Sequence, residues 1–494
     1  MSTISYAHCF YSDTYRVSSQ VASLPKTSSM HTHHTLWAEI LHKAGETLLL
    51  PARWHMQSLA KIVVPLPGAH KESSLKSLTS RVCAIALAIL TLLPALVSVV
   101  IAFPLRMISH RYRPAIGFIH SPSSQQIPLP SLTPEQPLHI RSHNVALVTN
   151  TMSTLGDLRN PLTRAQEIAD SLKKDPHQPD IICFQEAFHE EASHLLCDQL
   201  KHQYPYIIHS VAPHVFGFNS GHMIASKYPL EQVDFHRFSN MIGPETASPR
   251  GILRVKLKTA SGTPLLLYAV HLQASLGEAR ATARHEQLTM IHQMMKNDKI
   301  TDSSAMQILV GDFNIAHITP WGDDLLKPAG QSEEKNVQAL QSLFEDLYLK
   351  DHDPATGKRT KGSPYYLSSD NQLLSQSLVE PSASWYSGPL KTPPLPYKML
   401  MKKDLANYKR PLPQKSAIPV TGGLWGTTKW KEQQPATTSR FDYVLLPKEQ
   451  GPRALDGLVE IRRSLVPPSA QSASSDHLPV DARLWIKKGS PQGA

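Results

Sequence analysis

Residues 306–314 read MQILVGDFN. An apolar run meets a glycine, an aspartate and an asparagine, the pattern of a buried strand that ends in a polar loop. In an extended segment Asp312 and Asn314 share one side and Phe313 takes the other. Two polar groups so placed can grip one oxyanion, or the water attacking it, while the ring packs away from them.

The pattern repeats on either side. Upstream, LHIRSHNVALV (138–148) is an apolar strand ending near Asn144, and DIICFQEA (180–187) is a short strand ending at Gln185-Glu186. HMIASKYPL (222–230) reads as a strand and a turn. GILRVKL (251–257) and LLLYAVHL (265–272) are strands joined by Ser261-Gly262-Thr263-Pro264, a hairpin signal. Downstream, FDYVLL (441–446) and LPVDARL (478–484) are two further strands. Residues 164–174, 190–200 and 277–296 carry helical patterning. Hairpins mixed with strand–helix–strand units predict a layered α/β protein in which sheet packs on sheet.

Polar residues collect where these strands end: Asn144, Glu186, His271, Asp312, Asn314 and the pair Asp476-His477. Loops at strand ends are where a rigid scaffold presents catalytic groups. Carboxylates, amides and imidazoles converging there suit a hard divalent cation and a phosphate. The four cysteines, Cys9, Cys83, Cys183 and Cys197, form no CxxC pair, which excludes a zinc ribbon and a disulfide scaffold.

Of 494 residues, 41% are hydrophobic and 18% charged, which supplies a globular core and excludes wholesale disorder. The net charge of +10 is unevenly placed. Residues 1–120 and 350–436 are basic, whereas the remainder is mildly acidic. Basic appendages on an acidic body suit an anionic lipid surface at least as well as nucleic acid.

Residues 82–103, VCAIALAILTLLPALVSVVIAF, contain no charge and are long enough for one bilayer crossing. Basic residues flank both ends, so orientation is open. Pro94 is either a tolerated kink or the tip of a hairpin that dips in and returns. The expected organisation is a poorly ordered tail over 1–80, a membrane segment over 81–108, a Pro/Ser linker over 121–137, and a body over 138–494. That body carries a basic, Pro-rich insertion at about 350–436. Within the tail, His31, His33 and His34 read as a solvated cluster. Within the insertion, YKMLMKKDLANYKR (397–410) fits an interfacial helix, an RNA or protein contact, or a solvated loop, with Trp425 and Trp430 nearby.

Taken in order, Asn144 in HNV, QEAF with Glu186, SKYPL, HLQA with His271, GDFN, RFDYVLL with Asp442 and SDHLPV with Asp476 and His477 resemble the endonuclease/exonuclease/phosphatase superfamily. The resemblance spans roughly 138–486. HLQA, SKYPL and RGILRVKL resemble its neutral sphingomyelinase branch, phospholipase C-like enzymes that act at membranes. Two departures stand out. Gly221-His222 occupies a place that often holds a pair of small residues, and the insertion is longer than is usual.

The resemblance implies an α/β/β/α fold, a two-layered β-sandwich flanked by helices, and an Mg²⁺-dependent phosphodiesterase, with Mn²⁺ as the alternative ion. Glu186, Asn144 and Asp476 are the implied metal shell. His477 is the implied general base, with Asp442 holding its other ring nitrogen. His271 is implied to stabilise phosphoryl oxygens, and Asp312 and Asn314 to hold phosphate or water. The expected partners are a phospholipid substrate and a membrane surface, with single-pass or hairpin anchoring. A nuclease of the same superfamily, an inositol-lipid phosphatase and a non-catalytic membrane-anchored binding protein follow in that order.

Overall fold

The computed structural model describes residues 14–18, 29–63, 74–112, 116–121, 128–155, 158–212, 218–274, 278–317, 330–346, 385–386, 438–450, 454–461 and 479–487. The strands in chain order are β1 (Thr14–Ser18), β2 (Gly117–His120), β3 (Leu138–Asn144), β4 (Ile181–Gln185), β5 (Tyr206–His209), β6 (Met223–Ser226), β7 (Gln232–Arg237) and β8 (Gly251–Lys258). They continue with β9 (Pro264–His271), β10 (Met306–His317), β11 (Phe344–Asp346), β12 (Trp385–Tyr386), β13 (Thr438–Pro447), β14 (Leu455–Ile461) and β15 (Val480–Ile486). The helices are α1 (Ser29–Leu48), α2 (Leu50–Val63), α3 (Ser74–Tyr112), α4 (Asn150–Leu155), α5 (Pro161–Lys174), α6 (Glu190–Leu200), α7 (Glu278–Thr301) and α8 (Gly330–Leu343).

Two mixed sheets face each other. One runs β1-β7-β8-β9-β10-β13-β11, with β12 beside β13, and the other runs β14-β15-β3-β4-β6-β5-β2. Ile140, Ile181, Leu253, Leu267, Ile308 and Val444 meet between them. Because successive strand residues point to opposite faces, Leu309 and Phe313 turn outward. There they join Ile291 and Met295 of α7 in a second core. Ile182 and Phe184 likewise turn outward to meet Ile168 of α5 and Leu196 of α6 in a third. The result is the four-layer α/β/β/α sandwich. Strands covered on both faces read as unbroken apolar runs, which is why MQILV and DIICF lack an alternating pattern.

Polar anchoring reinforces these layers. Asn160 caps α5 by accepting from the Leu162 amide at 2.8 Å, with Pro161 in the first turn. Arg141 on β3 is fully buried. Its guanidinium donates to Asp481 of β15 at 2.5 and 2.7 Å and to Asp175 at 2.7 Å, locking two strands to the end of α5.

Three expectations about organisation change. The tail expected over 1–80 contains α1 and α2, because α3 offers them a seam. Ala84, Ala88, Thr91, Ala95, Ser98 and Ala102 lie buried along one side of α3, spaced three or four apart. Gly45 sits against that side, where a Cβ would come 2.8 Å from Cγ of Arg106. The body begins before residue 138, since β1 pairs with β7 and β2 pairs with β5. The linker's latter part is held too: the Ile486 amide donates to the carbonyl of the buried Leu132 at 2.9 Å. Finally, α3 continues through Pro94 and Pro104 without turning back, so no hairpin tip forms at Pro94. Among the described residues it is the one helix long and apolar enough to cross a membrane.

Candidate active site

The register of the strands builds the site. Asp312 on β10 stands opposite His271 on β9 and opposite Asp442 on β13. Paired residues on neighbouring strands project from the same face. These three therefore form one row across the first sheet, in step with the inward-facing Ile308, Leu267 and Val444. In the other sheet Asn144 is in step with the inward-facing Leu138 and Ile140. The row and Asn144 thus continue the inter-sheet core, with polar groups replacing apolar ones at one end of the sandwich. All four are buried. Asn144 Nδ2 donates to Asp312 Oδ2 at 2.9 Å, joining the two sheets there.

Glu186 arrives differently. Strict alternation after Ile182 and Phe184 would aim it at the helical layer. Its backbone instead takes a left-handed conformation at φ 60°, immediately after β4 ends. The turn is held by the Val145 amide on the Gln185 carbonyl at 3.0 Å and by the Ala187 amide on the Gly221 carbonyl at 2.9 Å. The Glu186 carboxylate then lies 3.7 Å from His271 Nε2, while Asp312 Oδ2 lies 3.6 Å from the same nitrogen.

Those two separations exceed hydrogen-bond length. One ligand atom from each of Glu186, His271 and Asp312 falls within 4.8 Å of the others. Ligands sharing one ion at about 2.1 Å stand about 3–4 Å apart, so the donor set fits a divalent cation. Its two carboxylates and absence of thiolate favour a hard ion. Buried carboxylates also need a compensating positive charge.

Asn314 follows Asp312 in a left-handed conformation at φ 51°. Its amide donates to Asp312 Oδ1 at 2.8 Å, and its side-chain Nδ2 to the Leu272 carbonyl at 3.3 Å. The extended spacing holds for Asp312 and Phe313: Phe313 packs edge-on against Tyr443 at 5.3 Å in the outer core. Asn314 departs from it, because its turn sends the side chain toward the β9 strand end. Asp476 and His477 lie outside the described residues, as do the 397–410 segment, Trp425 and Trp430.

Two neighbours escaped the sequence reading. The Phe188 ring lies 6.5 Å from the His271 ring, tilted 35° to it, and the Arg250 guanidinium sits 6.0 Å from the Phe188 ring centroid. Arg250 is buried and donates to the Leu272 carbonyl at 2.9 Å, fixing the chain just after His271. The available signal was an arginine opening the apolar run RGILRVKL. Gly221 explains the unusual Gly221-His222 pair. A Cβ there would stand 2.6 Å from the Phe188 ring, at a backbone φ of 76°. His222 is buried beside Phe235, and its Nε2 donates to the Gly251 carbonyl at 3.1 Å. Burial lowers its pKa to about 4.

The sequence model of the Endonuclease/Exonuclease/phosphatase family matches residues 142–477. Sphingomyelin phosphodiesterase 5 of Danio rerio is 25% identical over 338 residues, covering 64% of this chain and 54% of that protein. Sphingomyelin phosphodiesterase 3 of Homo sapiens is 27% identical over 219 residues, covering 37% of this chain and 32% of that protein. The chain thus spans about half or less of the length of these relatives. A crystal structure of beta toxin from Staphylococcus aureus with bound magnesium ions superimposes with a TM-score of 0.43 at 19% identity, covering 70% of this chain and 99% of that one.

Proposed function

The chain belongs to the endonuclease/exonuclease/phosphatase family, and on that premise we propose that it is a divalent-metal-dependent phosphodiesterase that hydrolyses a phospholipid headgroup, of the sphingomyelinase type. The observation that carries this reading is the convergence of Glu186, His271, Asp312 and Asn144 where the two sheets meet. Relatives bearing sphingomyelinase names and the apolar helix α3 support lipid as the substrate class.

Glu186 and Asp312 would hold Mg²⁺ or Mn²⁺ together with Asp476, while Asn144, whose Nδ2 donates to Asp312 and whose Oδ1 accepts from the Ala146 amide, orients that carboxylate in place of the ligand role expected from the sequence. Such an ion supplies charge neutralisation at a phosphoryl oxygen. His477 takes the proton of the attacking water, and Asp442 orients its imidazole. Asp312 and Asn314 position the water or the phosphate. His271, held by its strand and by the Arg250–Leu272 contact, steadies charge on the phosphoryl oxygens.

The test offers the full-length protein, with Mg²⁺, sphingomyelin vesicles, abasic DNA and inositol phospholipids in parallel. Phosphocholine release that falls at least about 100-fold in Glu186→Gln, and stops with a chelator, supports the proposal. Cleavage of DNA alone moves the chain to the nuclease branch. Binding to vesicles with no hydrolysis of any substrate leaves a membrane-anchored binding protein.

A further inference from the structure

The apolar helix α3 matches a single bilayer crossing in length and composition, but the connections of the chain oppose that arrangement. β1 is hydrogen-bonded along β7 in one sheet, and β2 along β5 in the other. The chain therefore leaves the sandwich after residue 18 and has rejoined it by residue 117. One crossing by α3 would put Ser74 and Tyr112 on opposite sides of a membrane. Returning to the same body would then require a second crossing between residues 18 and 74, whose described part, 29–63, forms α1 and α2. That stretch carries Glu39, Lys43, Glu46, Arg53 and Lys61. Each charge at a helix centre costs about 2.5–3.5 kcal/mol on insertion scales.

Packing adds a second argument. α1 and α2 run antiparallel to α3: Ser109 Oγ donates to the Ala38 carbonyl at 2.7 Å, and His55 Nδ1 lies 3.0 Å from the Ala88 carbonyl. The sandwich grips this helical pair from the side at two levels. His42 Nε2 and Glu190 Oε2 are 2.7 Å apart, and Gln57 Nε2 donates to Thr154 Oγ1 of α4 at 2.5 Å. Gln57 lies half a turn from His55, so the sandwich touches α2 level with Ala88 and Thr91, deep within the 82–103 run. In a helix crossing the bilayer upright, Ala88 and Thr91 lie about 9 and 14 Å inside the nearer end of that run, a depth filled by hydrocarbon. Helix α3, 39 residues and about 58 Å long, also far exceeds the hydrocarbon thickness of about 30 Å.

We propose that helices α1, α2 and α3 lie lengthwise in a single leaflet, with both ends of α3 on the side that carries the sandwich. The occupant of its apolar face is a lipid surface bearing anionic headgroups. Ile89, Leu90 and Val100 of α3 are 72%, 74% and 74% exposed, and Trp37 and Trp54 add amphipathic rings from α1 and α2. Lys61, Lys76, Arg81 and Arg111 are exposed along the same helices and match anionic headgroups, whereas Lys43 and Arg53 are held by Glu39 and Glu46. The sandwich residues that hold these helices follow site residues closely in the chain. Glu190 comes four residues after Glu186, and Thr154 ten after Asn144. The helices therefore set the site's own loops at headgroup level.

This inference rests on the membrane-acting reading above, and the experiment separates the two. Full-length protein carrying Cys9→Ser and Cys83→Ser, with a single new cysteine at Lys76→Cys or at Arg111→Cys, is added to preformed sealed vesicles of sphingomyelin, phosphatidylcholine and phosphatidylserine. Flotation is measured first, then labelling by a membrane-impermeant maleimide, with Thr79→Cys and His110→Cys as a second pair whose melting must match the parent. Cys183 and Cys197 are buried and serve as the unlabelled background. The expected result is flotation with both ends labelled to the same extent with and without detergent. Flotation with one end protected until detergent is added overturns the in-leaflet arrangement and leaves the lipid-acting reading standing. Failure to float, including self-association through the apolar face, overturns both.

Discussion

Asn144 and Asp312 come from opposite sheets, and the amide of one donates to the carboxylate of the other at 2.9 Å. The bond turns the end of the sandwich into a single polar surface. It also leaves Asp312 Oδ2 within reach of His271, while Oδ1 takes the Asn314 amide. One carboxylate thereby ties both strand ends to the site.

Asn144→Ala should therefore damage turnover more than stability. A hydrogen bond to a charged group contributes about 1.5–3 kcal/mol, and a misplaced Asp312 should lower kcat for phosphocholine release by about 10²–10³-fold. Thermal melting and steady-state kinetics on the same preparation check this. Unchanged kcat would remove Asn144 from the site.

Gly311 is where the backbone admits no side chain. At φ 147° its Cβ would come 2.0 Å from the Val270 carbonyl oxygen, on the neighbouring strand. Gly311→Ala should force β9 and β10 apart and disrupt the His271–Asp312 register. The expected outcome is loss of folded protein, or a melting temperature lowered by many degrees, read by circular dichroism.

His222 predicts a pH dependence of stability. Its pKa is lowered to about 4 by burial, from an unfolded value of about 6.5. Between those values the unfolded chain binds more protons at this residue than the folded one does. Stability therefore rises with pH across the window and falls as pH drops through it, by about 1.4 kcal/mol per pH unit at most. Urea unfolding at pH 6.5, 5.5 and 4.5 should show this slope, and His222→Gln should flatten it.

The Arg141 cluster predicts a cost with no catalytic signature. Burial works against the Asp481 carboxylate, but Arg141 and His139 outweigh it and hold its pKa well below the usual range. Its contribution is present above about pH 4 and is lost as pH falls below that. Arg141→Met removes the buried guanidinium from Asp175 and Asp481, leaving His139 beside Asp481 and the His177 amide beside Asp175, and should cost about 3–5 kcal/mol. Activity per folded molecule, from unfolding midpoints and assays at low temperature, should stay near wild type.

Much of this was legible from alternation and strand-end chemistry. Asn144, His271, Asp312 and Asp442 sit in step with the apolar residues that precede or follow them, so one period-two pattern places all four inside. Glu186 was found by motif, although its left-handed turn breaks that pattern. The N-terminal helices were missed because their buried side is made of Ala38, His42, Gly45, Ser58 and Ala60, residues that carry no hydrophobic period. Arg250 and Phe188 were missed because their role depends on a contact between segments far apart in sequence.

The left-handed backbone at Glu186 has a consequence for how variants at this position would fare. A side chain in that conformation costs about 1–2 kcal/mol, which glycine avoids. Glu186→Gly would relax the turn while deleting the carboxylate that faces His271. Selection for fold and selection for turnover therefore pull in opposite directions at residue 186. A library screened for folding alone would enrich the very substitution that deletes a proposed metal ligand.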